Sequence, residues 1–115
     1  MKILVVDDST VNNILLQEFL EHYNHEVHTA LDGREALDIM QDDKPDLILL
    51  DIMMPGISGF DVLEYMKQNN ILIPTIVISA YHKSDKHRLA IELGALDYIK
   101  KPIDFDYLIN LINKI

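Results

Sequence analysis

Two four-residue apolar runs end on aspartates: Ile3-Leu4-Val5-Val6 runs into Asp7 and Asp8, and Leu47-Ile48-Leu49-Leu50 runs into Asp51. Unbroken apolar runs of strand length suit strands buried on both faces, which belong to parallel sheets covered by helices. In open α/β sheets, ligands gather at the carboxyl ends of the strands, so the three acids are expected in one crevice. Carboxylates packed together repel and call for a counter-charge. A divalent cation on oxygen ligands is the simplest one, and a site with few protein carboxylates and open coordination positions suits phosphoryl chemistry.

The remaining chain alternates strand and helix patterns. Ser9 and Thr10 offer N-cap oxygens, and Val11, Leu15, Phe19 and Tyr23, joined by Leu16 and Leu20, predict the apolar face of a first helix. His25 to Ala30 alternates as a half-exposed strand, Asp32-Gly33 reads as a turn, and Ala36, Leu37 and Met40 predict a second helix over Glu35 to Met40, with Pro45 ending the unit. The third strand, Asp46 to Leu50, leads into a loop with Pro55, Gly56 and Gly59. Phe60, Val62, Leu63 and Met66 then predict a third helix, stopped at Asn69-Asn70. Pro74 introduces a β-branched strand, Thr75 to Ser79, and Lys83 to Leu93 predicts a fourth helix with Gly94 at its C-cap. A short strand around Asp97 to Lys100 precedes Pro102, and Asp104 caps a last helix bearing Tyr107, Leu108, Leu111, Ile112 and Ile115. Five β-α units predict an α/β fold: a (βα)5 doubly wound, five-stranded parallel sheet of flavodoxin-like type, one domain over residues 1–115.

Charge and composition narrow the function. The formal net charge of −9, from 19 acidic and 10 basic residues, disfavours direct binding to nucleic acid or anionic lipid. The absence of cysteine excludes disulfides and thiolate metal sites. No run approaches membrane-spanning length, and the short apolar start lacks the pattern of a secretion signal, so the cytoplasm is the expected location. No Gly-x-Gly-x-x-Gly or P-loop pattern follows a strand, and acids in the first loop oppose a flavin phosphate. Ser79, His82 and Asp51 bring hydrolase residues together, but no Gly-x-Ser-x-Gly elbow accompanies them. An incoming phosphoryl group still needs donors, and Ser79 and Lys100-Lys101-Pro102 supply them at the ends of the fourth and fifth strands.

These parts together resemble the receiver domain of two-component response regulators: Asp7-Asp8, Asp51 in Asp-Ile-Met-Met-Pro-Gly-Ile-Ser-Gly, Ser79-Ala80 and Lys101-Pro102. The resemblance covers essentially the whole chain. It implies that Asp51 accepts a phosphoryl group from a sensor histidine kinase or histidine phosphotransfer protein, forming an acyl phosphate. Mg²⁺ (or Mn²⁺) would be held by Asp7, Asp8, Asp51 and the main-chain carbonyl of Met53. Lys101 would hold first the carboxylate and then the phosphoryl oxygens, Ser79 would bond the phosphoryl group, and Ala80 would leave room for it. The bond before Pro102 is expected to be cis. Ser79 and Tyr98 would form the switch, changing a face made by the fourth helix, fifth strand and fifth helix. That face would meet a downstream effector domain or protein and offer a surface for dimers. The domain is expected to act on itself alone and not as an enzyme on other substrates.

Each assignment has a plainer competitor. Taken alone, Asp8 reads as a helix cap, Asp51 as a turn residue, Lys101 as a surface cation, Ser79 as a strand terminator and Tyr98 as a static core-edge aromatic; the matching motifs together weigh against these readings. Met53, Met54 and Met66 read as packing residues. His22, His25 and His28 are spaced by three, but His25 and His28 fall in the predicted strand, where an offset of three puts them on opposite faces and points to the surface rather than to a metal. A phosphatase of the haloacid dehalogenase type also uses an aspartyl phosphate but wants an aspartate two residues after the nucleophile, where Met53 stands. A phosphorylation-independent interaction module on the same fold is the remaining alternative. Met53 and Tyr81 are bulky enough to impede water, so slow self-dephosphorylation is expected.

Overall fold

A computed structural model of the chain describes residues 1–80 and 84–115. The apolar runs form the strands they predict: β1 (Lys2–Val6), β3 (Leu47–Asp51) and β4 (Thr75–Ser79), flanked by β2 (Glu26–Ala30) and β5 (Asp97–Lys100). Helices α1 (Thr10–His22), α2 (Gly33–Asp42), α3 (Gly59–Gln68), α4 (Ser84–Glu92) and α5 (Phe105–Ile112) follow the strands in turn. All pairings are parallel in the order β2-β1-β3-β4-β5. The doubly wound parallel fold expected from the pattern is therefore present.

Strand alternation sorts the core into two layers. Leu4, Val6, Ile48, Leu50, Val77 and Tyr98 pack with α2, with α3 and with Ala90 of α4. On the opposite face, Ile3, Val5, Leu47, Leu49, Ile76, Ile78 and Ile99 pack with Leu16 and Leu20 of α1 and Leu108 and Ile112 of α5. Register then aligns the strand ends: Val6 lies opposite Leu50, Asp51 opposite Ile78, and Ser79 opposite Lys100. The residues just beyond β1 and β5 thus share one rim with Asp51 and Ser79.

Several local expectations need correction. On α1 the buried side chains are Asn13, Leu16 and Leu20, whereas Val11, Leu15 and Tyr23 are exposed and Phe19 is half-buried. This helix carries apolar residues around much of its circumference, so spacing alone did not decide which stripe met the sheet. Asp32-Gly33 is not a turn: the Asp32 carboxylate accepts from Glu35 N and caps α2, which begins at Gly33. His25 lies outside β2. On α5, Leu108, Ile109 and Ile112 are buried, whereas Tyr107 and Ile115 are exposed. The fourth helix covers Ser84–Glu92; the expected start at Lys83 lies outside the described residues.

One glycine sets the approach of α3 to the site. A Cβ at Gly59 would stand 2.5 Å from the Asp51 carbonyl oxygen and 2.7 Å from Ile52 Cα. Only the missing side chain lets the Ser58-capped end of α3 close onto the end of β3. Among the described residues, no helix is long and apolar enough to cross a membrane.

Candidate functional site

The β1–α1 loop carries the first two acids in different settings. Asp7 is buried, and its carboxylate accepts from Ser9 N (2.9 Å), Asn12 Nδ2 (3.3 Å) and Lys101 Nζ (3.0 Å). Asp8, the next residue, is exposed. Asp51 is buried at the end of β3; its Oδ1 accepts from Met53 N (3.1 Å) and its Oδ2 from Lys101 Nζ (3.4 Å). Lys101 thus bridges two carboxylates from strands far apart in sequence, and its ammonium lies nearer Asp7 than Asp51.

The charges respond to this crowding. Burial raises the Asp51 carboxyl above the ordinary range; the Met53 N–H and the Lys101 charge work against burial, while Asp7 adds to it. Burial disfavours the Lys101 ammonium, but the bond to Asp7 and the charges of Asp51 and Asp7 outweigh burial and leave its pKa raised. At Asp51 burial therefore outweighs the bonds and charge that its neighbours offer the carboxylate.

Asp7, Asp8 and Asp51 can each offer one oxygen, all within 4.8 Å of one another. Three hard, anionic oxygen donors of unequal exposure fit Mg²⁺ or Mn²⁺ and no soft metal. Met53, whose main chain would add a carbonyl, follows in the same turn, and its side chain is half exposed at the mouth of a cavity of about 440 Å³ shared with Asp8, Pro55, Phe60 and Lys86. A second group, Glu26, His28 and Asp43, is fully on the surface, with His28 Nε2 2.9 Å from Glu26 Oε2. His22 and His25 do not join it.

Ser79 is wholly buried at the end of β4, its carbonyl accepting from Lys101 N at 2.8 Å, and Ala80 beside it is exposed. The Lys101–Pro102 peptide is cis. Tyr98 is buried on β5 with its ring stacked on His87 of α4, centroids 5.2 Å apart and planes at 13°. Tyr81 and His82 lie outside the described residues. Sequence reasoning missed Asn12, Asn13, Lys86 and His87. Two successive asparagines in the first turn of an amphipathic helix, one at the core spacing of Leu16 and Leu20, were the available signal for the first two.

An acidic cleft in which Lys101 bridges two carboxylates, at the carboxyl end of a 2-1-3-4-5 sheet, defines a site for handling an anionic group beside a cation. The chain matches the response regulator receiver domain family over residues 3–113 and belongs to it. It is 38% identical to sporulation initiation phosphotransferase F of Bacillus subtilis, over 98% of this chain and 91% of that protein. It is 43% identical to the alkaline phosphatase synthesis transcriptional regulatory protein PhoP of the same organism over 88% of this chain, but spans only 42% of PhoP. Among solved structures it resembles the Thermotoga maritima response regulator TrrA in complex with Mg²⁺-BeF, with TM-score 0.88 and 34% identity over 98% and 96% of the two chains. The protein is thus a receiver domain of two-component signalling, a class that interacts with histidine kinases and phosphotransfer proteins.

Proposed function

We propose that the chain is a cytoplasmic phosphoacceptor switch in which Asp51 takes a phosphoryl group from a phosphohistidine of a sensor kinase or phosphotransfer protein. The observation that carries this reading is Lys101 Nζ, at 3.0 Å from Asp7 and 3.4 Å from Asp51, within a group of three carboxylates able to hold Mg²⁺. The TrrA complex with Mg²⁺-BeF supports it by analogy. Asp7, Asp8, Asp51 and the Met53 carbonyl would hold a Mg²⁺, which would supply the charge neutralisation needed for one anion to approach another. An Asp51 oxygen attacks phosphorus, the P–N bond to the donor imidazole breaks, and its electron pair stays on that nitrogen. Lys101 keeps the carboxylate in place and stabilises the phosphoryl oxygens; Ser79 donates its hydroxyl to one of them, with Ala80 leaving space. The protein acts on its own aspartate and is not an enzyme towards other substrates.

The added charge makes contacts available in only one state and shifts an existing equilibrium. Ser79 and Tyr98 connect the site to α4, β5 and α5, where Ile91 of α4, Leu96 just before β5 and Tyr107 of α5 are exposed for an effector or a second copy. Met53 at the mouth slows water, so the isolated acyl phosphate outlasts seconds; decay within seconds removes that part of the reading. The main test is intact mass after incubation with Mg²⁺ and acetyl phosphate. A gain of one phosphoryl group, absent in Asp51→Asn and with a chelator, is expected. No adduct, even at rapid-quench times, would leave a phosphorylation-independent interaction module.

A further inference from the structure

Asn13 occupies a core position of α1 with 3% of its surface exposed, yet it is polar. Its Nδ2 donates to the main-chain carbonyls of Asp7 (3.0 Å) and Ala30 (3.2 Å), and Asp7 N also donates to the Ala30 carbonyl (3.1 Å). The exit of β1, the last residue of β2 and the first turn of α1 are thereby tied at one amide. Among the described residues, Asn13 Oδ1 is the buried side-chain oxygen or nitrogen left without a partner. An unpaired buried acceptor is a cost that an apolar residue would avoid, so the two donors are what this side chain contributes.

The neighbouring Asn12 is half-buried and donates from Nδ2 to Asp7 Oδ2 at 3.3 Å, the oxygen that also accepts from Lys101. Ser9 N takes the other oxygen. Asp7 is therefore held through its carbonyl, its N–H and both carboxylate oxygens. Asp8 makes no hydrogen bond or ion pair among the described residues and leaves from the same clamped loop. Groups that hold a ligand residue in place raise cation affinity because binding no longer has to order the loop.

We infer that Asn12 and Asn13 are positioning residues for the divalent cation: Asn13 fixes the direction in which Asp7 and Asp8 leave β1, and Asn12 holds the Asp7 carboxylate against Lys101. This rests on the reading that Asp7, Asp8 and Asp51 bind that cation. Their contribution lies in affinity for the cation, not in the transfer step once it is bound.

The experiment is calorimetric titration of the full chain with Mg²⁺, for the wild type, Asn13→Leu, Asn12→Ala, Asn12→Gln and Asp8→Asn. Melting and amide exchange in chelator, and phosphorylation by acetyl phosphate across Mg²⁺ concentrations, accompany it. Asn13→Leu should raise the Mg²⁺ Kd by about 10–100-fold, the range for losing such a support. Its Asp7 amide should exchange faster without metal, and its phosphorylation rate at saturating Mg²⁺ should return to the wild-type value. Asn12→Ala should raise Kd less, with Asn12→Gln, which keeps the amide donor, restoring it. Kd values equal to wild type in both Asn13→Leu and Asn12→Ala overturn the inference while leaving the phosphoacceptor reading intact. If Asn13→Leu fails to fold, Asn12→Ala decides alone. A wild type that binds Mg²⁺ no better than Asp8→Asn overturns both readings.

Discussion

Helices α1 and α4 flank the same rim but are held in opposite ways. The 13-residue α1 is capped by Ser9 and buries Leu16 and Leu20 in the core, with Asn13 bonded to main chain at the exit of β1 and at the end of β2. Among the described side chains of the nine-residue α4, Ala90 alone is buried; Leu89 and Ile91 stay exposed. Among the described residues, the contacts of α4 include a ring on a ring, His87 on Tyr98, a cation over a ring, Lys86 Nζ 5.6 Å from the Phe60 centroid, and Lys67 Nζ donating to the Glu92 carbonyl at 3.3 Å. The acids therefore stand beside a wall fixed by apolar burial, while the described side chains of α4, next to the hydroxyl side, bury far less. Elements that move are drawn from the least anchored parts of a fold, so the difference makes α4, rather than α1, the side on which the proposed response is to be tested.

The largest expected effect breaks the firm wall. Leu20→Ala should cost about 3 kcal/mol in denaturant unfolding, because a fully buried leucine leaves a cavity, while Leu89→Ala on α4 should change stability by under about 0.5 kcal/mol. Similar losses at the two sites would dissolve the contrast. Next, Lys101→Met leaves Asp7 and Asp51 facing each other without their shared counter-charge and should lose about 1–2 kcal/mol in metal-free protein at neutral pH. Adding Mg²⁺ should restore most of it, as melting curves with and without chelator will reveal.

Asp51→Asn should act in the other direction. Burial raises the Asp51 pKa, so the folded state holds that proton more tightly than the unfolded chain. The resulting stability is present below the ordinary carboxylate range and lost as pH rises through the raised value, leaving a cost at neutral pH. The variant should melt a few degrees higher at neutral pH without metal, roughly 1 kcal/mol, and the gain should vanish in acid. A gain that persists unchanged at low pH would remove the electrostatic explanation. The smallest effect sharpens the soft wall: His87→Ala should cost no more than about 0.5 kcal/mol overall yet speed amide exchange along α4 and not along α1.

Much of this was legible in the chain. Unbroken apolar runs identified β1, β3 and β4, and the residue after each run reached the rim because parallel strands of equal length end together. Asp7, Asp51, Ser79 and Lys101 could therefore be assigned to one place without coordinates. The face of α1 could not, since Val11, Leu15 and Leu16 are equally apolar and only docking chooses among them. Nor could the bonds of Asn12 and Asn13, whose acceptors are main-chain and side-chain atoms brought near by the sheet.

The sequence by itself determined the element order, the parallel sheet and the acidic rim, because those follow from local periodicity and from charges at strand ends. Only the tertiary structure decided that Lys101 leans towards Asp7, that Asp51 is raised by burial, and that α1 buries two leucines and an asparagine where α4, among its described side chains, buries one alanine. Distance, burial and partner identity arise between segments remote in the chain, and no local pattern encodes them.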